Sequence, residues 1–571
     1  MLPENYERFV SKLLEFIPGD RIETDPLKTI LLAQDASFYL YVPKVVVAAK
    51  NEDEVRRIIL LARENKTPIT FRSGGTSLSG QGQTDSVLVR LVDGWMDYHI
   101  FNEGNKIRLE PGLKGAQVNK FLIPYEKKIG PDPASIQICK IGGIVNNNSS
   151  GMCCGTQQNT YHTMDSIRIV LVDGTVLDTS NNESVVSFRQ THGVFLKNLL
   201  KLKQKVLKNS NLVKLIERKY KIKNTMGYCI NAFLDFEDPI DILTHLVVGS
   251  EGTLAFVSQV VYNTVPEYPN KGSALVVFED IFFATQAADI IARSQMASAV
   301  ELMDSLSLKA VAKTSSSMPE IIKQVPDGGA ALLIEARAPS KSALDVSMLN
   351  ITNILSSVKN LNGVKFTTEI DLYNSLWNIR RAIIPAVAKQ RLKGSATVIE
   401  DVAFPIENLA SATLGIQKLF EKYDYPEGVV FGHALAGNLH FIINQNFQQK
   451  ESVEHFRVFL DDIASLVVKK FEGTLKGEHS TGRNMAPYLE FEWGKDAIDI
   501  MREVKEAFDP DGLFNPGNMI NDDPYVHVKN VRRPLEGQHP VIDRCIEIDF
   551  EDAVCRNPEF IPPELLLDNK G

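Results

Sequence analysis

The sequence predicts an α+β fold in two main parts, and three observations carry that prediction. Residues 43–89 read as a strand, a capped helix and two further strands about a glycine-bearing loop. Three polar, glycine-bearing turns then recur between apolar strand runs. From residue 273 the pattern changes: apolar strand runs alternate with helical segments, as in a sheet with helices on one face.

Residues 1–34 form a helical lead whose apolar side is Phe9, Leu13, Leu14 and Phe16. Pro43, Lys44, Val45, Val46 and Val47 open a strand. Asn51 then caps a helix, with Glu54 three residues on in capping-box position. Val55, Ile58, Ile59 and Ala62 make its buried stripe. A buried strand follows at Pro68, Ile69, Thr70 and Phe71, breaks at Ser73, Gly74 and Gly75, and gives way to Ser86, Val87, Leu88 and Val89. Glycines in such a loop admit positive φ and close approach to a ligand. Successive N–H groups can converge on an anion such as a pyrophosphate. Taken alone, the stretch also suits an ordinary hairpin loop. No helix follows it and no Lys-Ser/Thr ends it, so the dinucleotide fingerprint and the P-loop both fit poorly.

A second segment dense in small and amide residues spans 130–151 and runs on towards Gly155 and Tyr161. Residues 167–176 read as a strand, an Asp-Gly turn and a strand. The third turn, Gly249 to Leu254, lies between two apolar runs. One long ligand lying across all three turns explains them more simply than three unrelated loops. Beyond them, strand runs at 274–277 and 331–334 alternate with helical segments at 284–294, 342–356 and 406–422.

The bulk numbers narrow the class. A chain of 571 residues, 44% hydrophobic and 23% charged, has ample length for two or more cored domains. Its net charge of −9 argues against nucleic acid as the main partner. Cys139, Cys153, Cys154, Cys229, Cys545 and Cys555 are scattered, unlike a disulfide framework, and suit a reducing compartment. No signal peptide and no membrane-spanning run are expected. The expected location is the cytoplasm, with contact at the inner face of a membrane left open.

The most informative cluster lies late in the chain. His433 and His440 flank a glycine-broken loop, and Glu478 and His479 follow in a second glycine-flanked loop. Two imidazoles and a carboxylate suit a borderline divalent ion, Zn or Mn, with positions left open for a ligand. Arg380 and Arg381, after Trp377, offer a fork for a carboxylate or, alternatively, a solvated helix face. Glu400 and Asp401 are assigned no chemistry and read as an exposed strand end.

The runs PITFRSGGTSLSG, PDPAS, IGGIVNNNSSGM and GSEGTL closely resemble the flavin domain of vanillyl-alcohol-oxidase-type FAD enzymes. In particular they resemble the D-2-hydroxyacid dehydrogenases: D-lactate and D-2-hydroxyglutarate dehydrogenases and the glycolate oxidase flavin subunit. The resemblance covers residues 43–519 and implies a two-part FAD-binding domain with an α+β cap. It implies FAD contacts from Arg72, Ser73, Gly74, Gly75, Thr76, Ser77 and Gly80 in the first turn. From the second it implies Pro131, Asp132, Ser135, Gly142, Gly143, Asn147, Ser150, Gly151 and Gly155. From the third it implies Glu251, Gly252, Thr253 and Leu254, with Asn515 from the closing turn. Thr76 stands where some relatives tether FAD through a His, so non-covalent FAD is expected. The resemblance makes His433, His440 and Glu478 the metal ligands, His479 the base, and Arg380 rather than Arg381 the carboxylate clamp. Ile442 departs from the pattern, since several relatives place an Asn there.

These assignments imply oxidation of a 2-hydroxy acid by hydride transfer to flavin, with the metal lowering the hydroxyl pKa and His479 taking the proton. D-2-hydroxyglutarate is the first expected substrate and D-lactate the second. A flavoprotein subunit needing a separate electron acceptor, and a metal-dependent hydrolase, are the alternatives. The expected divisions are a lead (1–34), an FAD-binding domain (35–268), a cap (269–500), a return to the FAD domain (501–521) and a tail (522–571). Cys545 and Cys555 stand in the frame of a ferredoxin cluster motif, with Ile548 and Glu551 in place of its middle cysteines and Arg556 in place of its proline. No iron–sulfur cluster is expected from that eroded motif, and electrons are expected to leave to a protein partner or a quinone.

Overall fold

The computed structural model describes residues 2–314, 319–323, 325–391 and 395–532. The ferredoxin-like frame at 543–556 lies outside the described residues. Four sheets organise those that are described.

The first sheet comes from the strand–helix–strand unit at the start of the chain. Val45–Ala49, Val87–Leu91 and Ile69–Arg72 run parallel, with Ile22–Glu23 added antiparallel at the edge. Between them the helix Glu52–Asn65 begins at Asn51, whose Oδ1 accepts from Glu54 N at 2.9 Å. Glu54 returns its carboxylate to Lys50 N rather than to Asn51 N. Val55, Ile58, Ile59 and Ala62 are buried against this sheet together with Phe9 and Leu13 of the lead helix Glu4–Leu13. Leu14, expected on that apolar side, is 53% exposed, because it follows the last turn of the helix.

The second sheet is antiparallel, in the order Tyr98–Phe101, Lys106–Leu109, Phe256–Asn263, Met164–Val170, Val176–Asp178. Its last pair is the expected hairpin, with Gly174 at φ +79° in the turn. Leu199, Leu202 and Val206 of the helix Gly193–Lys208 join the core formed with Ile167, Ile169 and Val260.

The cap is a six-stranded antiparallel sheet, Asn270–Phe278, Ala330–Ala338, Ala299–Asp304, Val429–His433, Asn438–Asn446, Ser395–Ala403 in spatial order. Helices Ile281–Ser294, Lys341–Leu355 and Leu409–Lys422 pack on one face, against Ala274, Val276, Leu332 and Ile334. The opposite face, which the sequence expectation leaves open, is covered as well. Ser305–Thr314, Ile370–Arg381 and Ile383–Lys389 pack there against Leu275, Val277, Met303 and Leu333. The strand runs are continuously apolar because both faces are buried.

The chain then returns to the first sheet. Ile69 N donates to Leu513 O at 2.9 Å and Asn515 N to Ile69 O at 2.8 Å, in parallel register. Residues 526–532 continue over the N-terminal part: Leu40 N donates to Asn530 O, Arg532 N to Phe38 O, and His527 is buried. Among the described residues, no helix is long and apolar enough to cross a membrane.

Candidate active site

The cap sheet brings the expected ligands together by register. His433 ends one strand and His440 lies in the next, joined by a short turn closed at Gly437. Gly437 has φ +63°, and a Cβ there would stand 2.2 Å from Phe404 O, so only glycine fits. His433 pairs with Asn438, which puts His440 two residues further along on the same face. Two acids sit directly opposite the two imidazoles on flanking strands: Glu301 opposite His433, and Asp401 opposite His440.

Nε2 of His433 and Nε2 of His440 approach the same atom, Glu478 Oε1, at 3.1 and 3.2 Å. The three ligand atoms lie within 4.8 Å of one another. Behind them, Glu301 Oε1 is 2.7 Å from His433 Nδ1, and Asp401 Oδ1 is 3.6 Å from His440 Nδ1. A carboxylate hydrogen-bonded behind an imidazole orients the ring and raises its basicity as a ligand, as Glu301 does for His433, whereas His440 Nδ1 makes no hydrogen bond. This donor set, with its outer carboxylates, fits a borderline divalent ion. Asp401, His440 and His479 make a second group of similar closeness. Asp401 is already engaged there, accepting from the backbone N–H of Glu478 and His479 at 2.6 and 2.8 Å and from Asn438 Nδ2 at 2.6 Å. The set His433, His440 and Glu478 is therefore the better candidate.

Glu301, Asp401 and Lys223 are the residues that sequence reasoning missed. Glu400 and Asp401 are buried rather than exposed, because their strand pairs along its length with Asn438–Asn446 inside the cap. Lys223, from the FAD-binding part, donates to Glu478 Oε2 at 2.8 Å and to Gly151 O at 2.7 Å, and Ser150 Oγ donates to the same Oε2 at 3.2 Å. Burial opposes ionisation of Glu478, but Lys223 and then His433 hold its carboxyl well below the usual range. Burial likewise opposes ionisation of Glu301, and His433 and Arg380 together hold it at about 2. No local motif marks Glu301 or Lys223, since each is far in sequence from its partner.

His479 stacks on His440 with ring centroids 4.9 Å apart. Its Nε2 is 3.8 Å from Glu478 Oε1, and its buried Nδ1 has no hydrogen-bond partner. Burial pushes this imidazole down to about 4, so it is neutral at ordinary pH. Arg380 is buried, donates through Nε to Glu301 Oε2 at 2.7 Å, and lies 4.7 Å over the Phe431 ring. Arg381 is exposed and donates to Asn378 Oδ1. Ile442 is buried beside Phe431 and Ile399, so this position offers the cluster no polar group.

These groups share one cavity of about 1220 Å³ with the glycine turns. Its wall includes Arg72, Ser73, Gly74, Gly75, Thr76, Ser77, Asp132, Ser135, Gly142, Gly143, Asn147, Ser150, Glu251 and Gly252, together with Arg380, His433, His440, Glu478 and His479. A Cβ on Gly143 or Gly252 would meet nothing within 4 Å, so both present bare backbone to the cavity, as a close-lying cofactor requires. The Arg72 guanidinium donates to the carbonyls of Leu32, Ala33 and Gln34, which anchors the loop.

Seven residues expected to touch the cofactor do not line this cavity: Gly80, Pro131, Gly151, Gly155, Thr253, Leu254 and Asn515. Gly80 packs on Tyr39, whose ring a Cβ would meet at 2.8 Å. Gly151 packs on Asp132, with only 1.9 Å for a Cβ to its carbonyl oxygen. Pro131 is buried, and Gly155, at φ +55°, turns the chain beside the wall. Thr253 donates to Ser250 O and bonds Tyr228 OH, and Leu254 is core. Asn515 Nδ2 donates to Gln81 O and Glu251 O, tying the first and third turns together from behind.

Comparison with known proteins identifies the two parts of the chain. Residues 43–180 match the FAD binding domain family, and residues 268–519 match the C-terminal domain of FAD linked oxidases. The chain is 28% identical over 489 residues to the glycolate oxidase subunit GlcD of Bacillus subtilis, covering 85% of this chain and 90% of the relative. It is 25% identical over 560 residues to the D-2-hydroxyglutarate dehydrogenase of Haemophilus influenzae, covering 92% of this chain but 53% of that longer protein. The fold is similar to that of p-cresol methylhydroxylase, at a TM-score of 0.65 and 13% identity, over 91% of this chain and 98% of the other. The two matched domains line one cavity between them, and together they make the chain an FAD-linked oxidoreductase.

Proposed function

We propose that the chain oxidises a D-2-hydroxy acid to the 2-oxo acid, using FAD and a divalent ion. The observation that carries this reading is the single cavity lined both by residues of the glycine turns and by the imidazole–carboxylate cluster, His479 and Arg380. The names of the relatives, glycolate oxidase subunit and D-2-hydroxyglutarate dehydrogenase, support a hydroxy acid as substrate. D-2-hydroxyglutarate is the first candidate and D-lactate the second.

When bound, FAD supplies a two-electron acceptor, and a divalent ion supplies the Lewis acidity that brings a hydroxyl pKa within reach of an imidazole. His433, His440 and Glu478 would hold the ion, Glu301 orients the His433 imidazole, and Asp401 stands 3.6 Å behind that of His440. Arg380 binds the substrate carboxylate. Its Nε is engaged by Glu301, which leaves its terminal nitrogens for the fork. His479 takes the hydroxyl proton at Nε2, since Nδ1 is sealed from solvent. Phe431 and Ile399 in the wall keep water from the reacting groups. A separate protein or a quinone would serve as the electron acceptor.

A dye-reduction screen of D- and L-lactate, D-2-hydroxyglutarate and glycolate with metal-replete protein tests the reading. Reduction by a D-2-hydroxy acid, abolished by exhaustive chelation, is the expected result. Inertness towards all four compounds, or full activity after chelation, sinks it.

A further inference from the structure

Arg380 and His433 share a hydrogen-bond partner that no local sequence signal marks. Glu301 is fully buried in the third strand of the cap sheet, and each of its oxygens is engaged. Oε1 is 2.7 Å from His433 Nδ1, and Oε2 accepts from Arg380 Nε at 2.7 Å. The sheet imposes the first contact, because Glu301 and His433 are directly opposite in register. The helix Ile370–Arg381 imposes the second. It is laced to the sheet through Tyr373 OH to Glu335 Oε1, Trp377 Nε1 to Ser273 Oγ at 2.9 Å, and Arg380 to Glu301. Arg380 is held from its other side by the Phe431 ring, 4.7 Å from its guanidinium carbon.

We propose that Glu301 is a positioning residue that couples the two ends of the substrate site, setting the carboxylate clamp Arg380 and the ligand His433 through one side chain. This inference rests on the roles of Arg380 and His433 proposed above. A carboxylate that accepts from both partners cannot turn towards one without loosening the other, since its two oxygens move as a rigid unit. Loading of the ion, which fixes the His433 ring, therefore also fixes the guanidinium that meets the substrate carboxylate. By linkage, binding of the carboxylate must tighten the ion by the same factor. Each partner could instead have had its own acceptor. Asp401, behind His440, accepts instead from Glu478 N, His479 N and Asn438 Nδ2, none of which is the carboxylate clamp.

The test uses full-length flavin-loaded protein and two binding measurements, neither of which needs turnover. Affinity for Zn²⁺ or Mn²⁺ is read by competition with a chromophoric chelator. Affinity for the 2-oxo acid product is read from the flavin absorption change, with and without metal. Glu301→Gln keeps the shape of the side chain, but its amide nitrogen cannot accept from either partner. It is expected to weaken metal affinity about 10- to 100-fold, as loss of an outer carboxylate does, and to weaken product affinity as well. The mutual tightening of metal and product seen in the wild type should disappear. Should Glu301→Gln fold poorly, Arg380→Met approaches the bridge from its other end. Although Arg380 is not a ligand, this variant is expected to weaken metal affinity by more than about twofold, the lower end of coupling within one network. A Glu301→Gln protein in which metal and product still tighten one another, or an Arg380→Met protein with unaltered metal affinity, overturns the coupling. A wild-type protein that takes up no divalent ion overturns the metal reading itself, and the two failures are thereby told apart.

Discussion

Lys223 Nζ donates to Glu478 Oε2 across 2.8 Å, and both side chains are buried, so an ammonium from the FAD-binding part holds a candidate metal ligand in place. The same Nζ reaches Gly151 O and Asn438 Oδ1. Lys223→Met is expected to leave the Glu478 carboxylate buried without its cation, a loss of about 3–5 kcal/mol in the metal-free protein. A saturating divalent ion should restore part of that stability, because it binds only the folded chain. Denaturant melts with and without metal check this. A variant as stable as the wild type in the absence of metal would show that the pair holds nothing together.

His479→Ala is expected to keep flavin and metal yet lose about 10²- to 10⁴-fold in turnover, the contribution of a base that acts in the transition state. His433→Ala should lose the metal too, since His433 Nε2 faces Glu478 Oε1 at the centre of the cluster. Metal content by elemental analysis, set beside turnover, separates the two variants. Equal loss of metal in both would place His479 among the ligands.

Buried His527 supplies a pH dependence remote from the cluster. It is 1% exposed, and burial pushes its imidazole from 6.5 down to about 4. As pH falls, the unfolded chain takes up this proton before the folded one does. Its contribution is therefore fully present above about pH 6.5 and is lost between there and about pH 4, up to about 3 kcal/mol. His527→Leu is expected to flatten that part of the stability–pH curve relative to the wild type. Parallel curves for the two proteins would contradict the assignment.

Acid or heat precipitation is expected to release all of the flavin, because Thr76 in the first turn has no nucleophile suited to tethering it. Yellow colour that stays with the washed pellet would refute non-covalent binding. Gly151→Ala should yield protein poor in flavin, since the added methyl would meet Asp132 O at 1.9 Å and displace the loop that carries Ser150.

Protein purified without air is expected to contain neither iron nor acid-labile sulfide. The frame around Cys545 and Cys555 carries Ile548 and Glu551 where a four-iron cluster needs thiolates. About four of each per chain would reverse this reading.

What the sequence determined by itself lies where the signal is local. The helix after Asn51 shows in a cap and a stripe that repeat every turn, and both depend only on residues within one helix. The glycine turns and the pair His433 and His440 are legible for the same reason: a turn and the two residues beside it lie within one short stretch. Other features had to wait for the tertiary structure. Glu301 lies 132 residues from His433 and Lys223 lies 255 from Glu478, so only strand register and packing of the cap on the FAD-binding part bring them into contact. Asp401 reads as a surface acid until its edge strand is seen buried beside Asn438–Asn446, where it organises the backbone of Glu478 and His479. Whether a charged side chain is solvated or held in a buried network depends on which distant groups cover it. That is a property of the assembled fold, because a buried charge is tolerated only where partners from elsewhere in the chain already stand around it.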